Sequence, residues 1–191
     1  MHTEDNSVQS KVRLDQFDPN HGLDRGKSKL TEIVWYLFKM IFILTAFPWP
    51  QSLKHFVLRL FGARLGKGVV IKPRVNIHFP WKLTLGDHCW IGEECFILNF
   101  EPVSVGKHAC LSQRSFLCGG NHNFRSPEFE YRNGPITIGD GAWVGAQVFL
   151  GPNVKLGVDC VISAGSRVFK NMPDGMICAG DPCEPKSNRW K

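Results

Sequence analysis

A leucine, isoleucine or valine returns at every sixth position along most of the chain after residue 64, and this period constrains the fold more than any other feature. An α-helix needs apolar residues at spacings of three and four, and an isolated strand needs strict alternation, so neither element explains a period of six. The fifteen positions form five groups of three: Leu65, Ile71 and Ile77; Leu85, Ile91 and Ile97; Val105, Leu111 and Leu117; Ile138, Val144 and Leu150; Leu156, Ile162 and Val168.

A second position recurs four residues after most of these aliphatic residues, and it holds small or β-branched side chains. Its members are Val69, Val75, Cys89, Cys95, Ala109, Ser115, Ala142, Val148, Val154, Cys160 and Ser166. The two recurring positions lie two residues apart, so both side chains point to the same face of a short strand. Three such strands form one triangular coil, and stacked coils bury a continuous core. The sequence therefore predicts an all-β solenoid, a parallel β-helix of hexapeptide repeats, in which the Gly or small residue after each inward aliphatic eases the turn.

The repeat also explains several residues that resemble reactive or metal-binding groups. Cys89, Cys95 and Cys160 occupy the small inward position, where cysteine acts as a compact apolar side chain. His88 and His108 each follow the first aliphatic of a coil by three residues, so we expect them to stack on the outer surface. A zinc site needs three or four protein ligands, and we therefore expect a surface pair and no metal.

An apolar segment, residues 30–50, precedes the repeats and predicts a helix of about four turns. Its uninterrupted apolar run is shorter than the roughly 20 residues that span a bilayer, and Lys39 lies in its middle. Three alternatives follow: packing on the solenoid, an in-plane membrane helix, or a membrane span. We favour packing, because Trp35, Phe38 and Phe42 suit the flat faces of a solenoid.

The in-plane alternative would bring basic residues near the ends of this segment, Arg25, Lys27, Lys29 and Lys54, to anionic lipid. A second helix is predicted over 52–63, with Gly62 at its end. The predicted organisation is an irregular and helical N-terminal segment (1–63), a β-helix (64–173) with a loop insertion at 122–137, and a C-terminal tail (174–191).

The chain carries a formal net charge of +6, which suits phosphorylated cofactors, a membrane surface or nucleic acid. No Lys/Arg-rich run with interleaved aromatic residues is present, so we expect no nucleic-acid partner. The seven cysteines form no Cys-x-x-Cys pair, and the N-terminus lacks the pattern of a secretory signal. We therefore expect a reduced, cytoplasmic protein.

The longest interruption of the repeat, residues 118–137, is the best candidate for a functional site, because solenoid insertions are often binding loops. His122 stands there between Asn121 and Asn123, and histidine is a suitable general base near neutral pH. The alternative is a histidine that only caps a turn. Backbone N–H groups near Gly119 and Gly120 are candidate donors to an oxyanion.

From about residue 24 onward the chain resembles the hexapeptide-repeat O-acetyltransferases. The resemblance rests on the blocks "HFPWKLTLGD", "LSQRSFLCGGNHNF", "PITIGDGAWVGAQVFLGPNVKLG" and "AGSRVFKNMPDGMICAGDPC". Within this family the chain is similar to the WcaF-like acetyltransferases of colanic acid and exopolysaccharide synthesis, which are related to the maltose, galactoside and nodulation acetyltransferases.

The resemblance implies a left-handed β-helix that forms a homotrimer, with acetyl-CoA as the acetyl donor in a groove between subunits and no required metal. It implies His122 as the catalytic base and Asn99 and Asn121 on the side of a saccharide acceptor, either nucleotide- or lipid-linked. It also implies contacts with CoA from Trp143, Gly145, Ala146, Ser163, Ala164 and Lys170. A lipid-linked acceptor would place the cytoplasmic protein at the inner face of the membrane.

The chain departs from the family pattern at three places. Asn123 replaces the usual Asp after the catalytic His, so electrostatic support for an imidazolium is lost, and Asn123→Asp is expected to raise activity modestly. Glu184 stands near the C-terminus where a basic residue is usual, and the charge is delayed to Lys186. Phe169 replaces a small polar residue near the cofactor.

Three other functions remain open from the residues. An N-acetyltransferase acting on an amino sugar would need the same base and donor. A metal-dependent hydratase of the γ-type carbonic anhydrase kind would need a third histidine ligand, which the sequence does not offer convincingly. A non-catalytic trimeric scaffold would not bind acetyl-CoA.

Overall fold

The computed structural model describes residues 11–190 and contains a solenoid of stacked triangular coils with two helices at its N-terminal end. The predicted all-β solenoid with an N-terminal helical appendage is confirmed. The helices are α1 (Lys29–Phe42) and α2 (Gln51–Leu60), and two short 3-10 helices cover Leu14–Gln16 and Pro80–Lys82.

Three parallel sheets form the faces of the solenoid. Sheet A contains β1 (Arg64–Leu65), β4 (Leu83–Leu85), β7 (Val103–Val105), β10 (Ile136–Ile138) and β13 (Lys155–Leu156). Sheet B contains β2 (Val70–Ile71), β5 (Trp90–Ile91), β8 (Cys110–Leu111), β11 (Trp143–Val144), β14 (Val161–Ile162), β16 (Met176–Gly180) and the antiparallel β17 (Cys183–Asn188). Sheet C contains β3 (Asn76–Ile77), β6 (Phe96–Leu98), β9 (Phe116–Cys118), β12 (Phe149–Leu150) and β15 (Arg167–Val168).

The six-residue aliphatic positions form the core, as predicted. Fourteen of the fifteen are at most 2% exposed, and Leu65, in the first coil, is half-buried. Strand pairing stacks each aliphatic on its equivalent in the next coil, so that Leu85 pairs with Val105 and Val105 with Ile138. Because coils contact only their neighbours, this column is the main source of stability along the solenoid.

At eleven of the fifteen repeats the turn is made by the third residue after the inward aliphatic, which is not the position predicted from sequence. Residues there have positive φ, for example 56° at His88, 59° at Glu94 and 65° at Asn153. The glycines directly after the aliphatics have a different role. A Cβ on Gly86 would lie 2.6 Å from the backbone nitrogen of Lys107 in the next coil, so these glycines allow close stacking of the coils.

The two helices cover the N-terminal edge of the solenoid and bond its unpaired strand atoms. Gln51 of α2 bonds both backbone groups of Ile71, and the buried Lys54 donates to the same carbonyl at 2.9 Å. Trp35 of α1 donates through Nε1 to the carbonyl of His78 at 2.9 Å. This coverage prevents the first strands from pairing with another chain.

One side of α1 packs on the solenoid, as the favoured alternative predicted. Trp35 and Lys39 are buried, and Phe38 and Phe42 pack partly buried against the core. Lys39 donates from Nζ to Asn76 Oδ1 at 3.1 Å. Within residues 11–190, no helix is long and apolar enough to cross a bilayer.

Two of the basic residues proposed to contact lipid are not available for that contact, because one is buried and the other is ion-paired. Lys54 is 1% exposed, and burial lowers its pKa. Arg25 forms an ion pair with Glu32 at 2.8 Å. Only Lys27 and Lys29 of that predicted group are exposed on the surface.

The C-terminal residues extend the solenoid beyond the predicted boundary at residue 173. Strand β16 continues sheet B in parallel with β14, and β17 returns antiparallel to β16. Met172 and Cys178 are buried, because this part of the chain covers the last coil.

The histidine pair and the inward cysteines lie where the repeat places them. The rings of His88 and His108 stack with centroids 5.3 Å apart. No group of three or more metal-ligating side chains occurs between residues 11 and 190. Burial raises the pKa of Cys89 and of Cys160 to about 12, so these thiols stay protonated at neutral pH.

Candidate active site

His122 lies in the insertion that leaves sheet C after β9, at the corner between sheets C and A. The N–H of Gly134 donates to the carbonyl of Gly119 at 2.9 Å and closes the neck of this loop. Inside the neck, His122 forms an antiparallel bridge with Tyr131. The loop is therefore a small hairpin that holds a half-buried histidine near its base.

The backbone of Phe129 fixes the tautomer of His122. The Nδ1 atom of His122 lies 2.6 Å from the carbonyl oxygen of Phe129. A carbonyl can only accept, so Nδ1 carries the proton and donates. In the neutral ring Nε2 is then unprotonated, with a lone pair able to accept a proton from an acceptor hydroxyl.

Aromatic rings hold the imidazole from several sides. Phe129 stacks on it with centroids 4.3 Å apart and a 9° angle between planes, and Tyr131 lies at 4.8 Å. Phe17 contacts both His122 and Tyr131 edge-on, which brings the N-terminal segment onto the loop. The ring is therefore held in one orientation, and its position does not depend on a carboxylate partner.

The residues on either side of His122 support the loop. The side chain of Asn121 accepts from the His122 N–H at 2.8 Å, and Asn121 is exposed. Asn123 donates from Nδ2 to Glu130 Oε1 at 2.7 Å. A carboxylate therefore lies in this loop, but it belongs to Glu130, and it bonds Asn123.

Asn99 does not lie open to a ligand. It is fully buried, and its side chain accepts from Phe79 N at 2.9 Å and donates to Phe79 O at 2.5 Å. Both ends of the amide are therefore occupied by one backbone, and the geometry favours a role for Asn99 in holding Phe79. The N–H of Gly119 donates to Leu98 O at 2.9 Å and is not available to an oxyanion, so of the two glycines named as marking donors only Gly120 stays a prediction.

A second histidine lies near this corner. The ring of His78 is 4.4 Å from Phe79 and 4.9 Å from Phe100, and Phe100 in turn contacts Tyr131 at 5.7 Å. Burial, with repulsion from Lys39 and Arg25, lowers the pKa of His78 to about 4, so His78 is neutral at physiological pH.

Five of the six residues expected to contact CoA line one groove. The groove has a volume of about 430 Å³ and runs along sheet B to the corner between sheets B and C. The expected residues that line it are Trp143, Gly145, Ala146, Ser163 and Ala164. Ser112 and Gln113, which were not among the expected contacts, also line it. The exposed Trp143 donates from Nε1 to Ser112 Oγ at 2.9 Å, which orients the indole over the groove.

Lys170 is not part of that groove. It follows β15 at the corner between sheets C and A, and its Nζ donates to both carboxylate oxygens of Glu184 at 2.7 Å. The acidic residue that departs from the family pattern thus pairs with the lysine. Phe169, beside it, is exposed and packs near Phe149.

Within one chain the groove and His122 lie at different corners. The groove residues precede the strands of sheet C, whereas His122 follows β9 of that sheet. Sheet C therefore separates the two halves of the predicted site. Sequence reasoning also missed Phe129, because its contribution comes from a backbone carbonyl and a neighbouring ring that no short motif marks.

Comparisons with known proteins place this geometry in context. Residues 135–170 match the family model described as "Bacterial transferase hexapeptide (six repeats)". The chain is similar to WcaF of Escherichia coli strain K12, whose name assigns it to colanic acid biosynthesis as an acetyltransferase. The two are 40% identical over 162 residues, which are 83% of this chain and 87% of that protein.

Two solved structures share the fold. A hexapeptide-repeat acetyltransferase from Vibrio cholerae, complexed with acetyl coenzyme A, superposes with a TM-score of 0.79 at 19% identity over 96% of this chain and all of that one. A galactoside acetyltransferase in complex with coenzyme A gives a TM-score of 0.76 at 21% identity, over 84% of this chain and 81% of that one.

Proposed function

The chain belongs to the hexapeptide-repeat acetyltransferase family and is an acyltransferase, and from this premise we propose that it transfers the acetyl group of acetyl-CoA to a sugar hydroxyl. The observation that carries the proposal is the hydrogen bond from His122 Nδ1 to the Phe129 carbonyl. That bond leaves Nε2 free to act as a general base. The similarity to WcaF favours a saccharide of exopolysaccharide or cell-surface glycan synthesis as the acceptor.

In the proposed reaction, Nε2 of His122 takes the proton of the acceptor hydroxyl as its oxygen attacks the thioester carbon. The new carbon–oxygen bond forms and the carbon–sulfur bond breaks, and the imidazolium returns its proton to the departing thiolate. General-base assistance of this kind contributes about 10² to 10⁴ in rate. The Phe129 carbonyl stabilises the imidazolium, because its oxygen accepts from the charged ring.

The groove beside Trp143 is the proposed site of the donor. Its mixed lining suits a pantetheine arm, with an indole and small residues on its walls and the Ser112 and Ser163 hydroxyls at its edge. Gly145 lets the two neighbouring coils that line the groove stack closely, since a Cβ there would lie 2.6 Å from Ala164 N. Structures of similar fold hold acetyl-CoA or CoA, which supports this placement.

We further propose a homotrimer in which the groove of one subunit faces the His122 loop of its neighbour. The support is the separation of the two halves by sheet C within one chain. Cyclic symmetry repeats one heterologous contact around a ring, so three copies would build three equivalent sites.

Product analysis tests the proposed function. The protein is incubated with acetyl-CoA and a panel of nucleotide- and lipid-linked sugars while free CoA is measured. We expect release of CoA with at least one acceptor and an alkali-labile O-acetyl product. An alkali-stable amide would instead assign the enzyme to amino sugars, and a protein that neither binds nor consumes acetyl-CoA would be a scaffold.

A further inference from the structure

The side of α1 that faces away from the solenoid is an uninterrupted apolar surface. Its residues are each between 47% and 70% exposed. They recur at spacings of three and four, which places them on one side of the helix. We call this set the outer face of α1, and it consists of Leu30, Ile33, Tyr36, Leu37, Met40 and Ile41.

The opposite side of the same helix is already used. It carries the buried Trp35 and Lys39, and Glu32 on its flank pairs with Arg25. The outer face is therefore not needed to hold α1 on the solenoid. Aliphatic side chains gathered in this way on a protein surface mark a site of contact with another molecule or with a membrane.

The charge of the surrounding region narrows the identity of the partner. Residues 33–86, which form most of α1, all of α2 and the first coil, contain eight of the 23 basic residues of the chain and none of its 17 acidic ones. Several of these basic side chains are exposed, including Arg59, Arg64, Lys67 and Lys72. Lys39 and Lys54 are buried and Arg74 pairs with Glu94, so the exposed positive charge of this region comes mainly from those four side chains.

From these two observations we propose that the protein docks peripherally on an anionic membrane, with the outer face of α1 lying in the headgroup region. An in-plane helix needs an apolar face buried at the boundary of the acyl chains, and basic neighbours that attract anionic lipid. Contact between two copies through this surface would instead bring like charges together. Nucleic acid offers no apolar layer for leucine, isoleucine and methionine.

Helix α1, whose outer face is the docking surface, packs with its opposite side near the corner between sheets C and A, which also carries His122. Trp35 bonds the carbonyl of His78, and the His78 ring contacts Phe100, which contacts Tyr131 beside His122. A docked protein would therefore present this corner close to the headgroups, where a saccharide carried on a lipid would be found. This consequence for the acceptor rests on the proposed function, whereas the docking itself does not.

Vesicle flotation of the full chain tests the proposal. We expect flotation with phosphatidylcholine vesicles containing about 30% phosphatidylglycerol, at about 0.1 M salt, and little with phosphatidylcholine alone. The triple variant Ile33→Gln, Leu37→Gln, Met40→Gln should lose about tenfold or more of the bound fraction. The matched control Val158→Gln, Trp190→Gln, which replaces exposed apolar residues elsewhere, should bind like the parent.

Two double variants of basic residues test the electrostatic contribution to membrane binding. Arg64→Gln, Lys67→Gln should weaken binding about tenfold, whereas Lys107→Gln, Lys155→Gln, which changes two exposed lysines outside this region, should not. The unfolding midpoint and CoA release with a water-soluble acceptor should match the parent in every variant, so loss of docking is distinguishable from loss of activity. Absence of flotation with anionic vesicles, or flotation that survives the triple variant, would overturn the proposal. A triple variant that lowers the oligomeric mass of a parent that does not float would assign the surface to a second copy.

Discussion

Phe129 contacts His122 in two ways, because its carbonyl oxygen lies 2.6 Å from Nδ1 and its ring stacks on the imidazole at 4.3 Å. Its backbone has a φ of 52°, a conformation that a non-glycine residue adopts at an energetic cost. The strained position directs the carbonyl at the ring nitrogen, and this contact suggests a separate test of backbone and side chain.

Two variants of Phe129 separate these contributions. Phe129→Gly keeps the positive φ and the carbonyl but removes the ring, so we expect kcat within about tenfold of the parent. Phe129→Pro cannot adopt a φ near 52° and loses the bond from its N–H to Ser126, so the carbonyl moves and kcat falls by about 10² or more. Equal losses in the two variants would mean that the ring alone orients the base.

His122→Ala should lose most acetyl transfer while keeping the fold and the binding of acetyl-CoA. His122 occupies no inward position, so its removal opens no core cavity, and we expect a decrease of about 10² to 10⁴ in kcat. His108→Asn is the matched control, because His108 is exposed at a turn with a φ of 55° that Asn tolerates. A His122→Ala variant within about threefold of the parent rate would remove His122 as the base.

The structure revises the expectation for Asn123→Asp. Asn123 donates to Glu130 at 2.7 Å, so an aspartate would place two carboxylates in contact. We expect no gain in activity and a destabilised loop, seen as a lower kcat and faster proteolysis near residue 125. The double variant Asn123→Asp, Glu130→Gln restores one donor and one acceptor, and it should recover most of the loss. A higher rate in the single variant would support the original expectation.

Mixed oligomers test whether two chains build one site. His122→Ala removes the proposed base and Trp143→Ala alters the proposed donor groove, so each variant alone should be nearly inactive. In a random mixture of the two, one contact in four joins an intact loop to an intact groove, so co-expressed subunits should regain about a quarter of parental activity. Light scattering should give a trimer mass. A mixture with no activity would place His122 and the groove of a single chain in the same site.

The thiols of the inward cysteines Cys89 and Cys160 should be inert in the folded protein. Burial raises the pKa of Cys89 and of Cys160 to about 12, so the reactive thiolate is scarce at pH values well below that. With iodoacetamide at neutral pH, mass spectrometry should show labelling of these two positions only after unfolding. The half-buried Cys118 is the internal comparison and should react sooner. Rapid native labelling of Cys89 would contradict its role as a packing residue.

The periodic part of the fold is predictable because it follows from burial alone. Inward aliphatic residues such as Ile97 and Leu150 recur at a fixed spacing, so their place in the core can be assigned from the sequence. The turn residues were harder to identify, since a positive φ is adopted by His88, Glu94 and Asn153 without a common side-chain type. The sequence pattern assigns the glycines after the inward aliphatics to the turns. Their actual role, close contact with the next coil, cannot be recognised from the residues of a single repeat.

The candidate site is predictable only in part. Trp143 and Gly145 line one groove because they belong to the repeat, whose geometry is regular, and their contact with CoA stays a prediction. Lys170 lies outside that groove, and its pairing with Glu184 could not be foreseen because it depends on where the chain returns after residue 180. The support of His122 by a backbone carbonyl has no residue-type signal, because any residue at position 129 could supply that oxygen.

The closed neck of the insertion loop has a consequence for how such enzymes diversify. Gly119 and Gly134 bring the outgoing and returning segments together at 2.9 Å, and Val103 of β7 pairs with Ile136 of β10 in the register of the other coils, so the insertion does not interrupt sheet A. The hairpin is therefore a cassette that can be lengthened, shortened or exchanged without disturbing the ladder beneath it. In the proposed enzyme this cassette carries His122, so grafting residues 120–133 between relatives would test whether acceptor preference changes while the groove beside Trp143 stays the same.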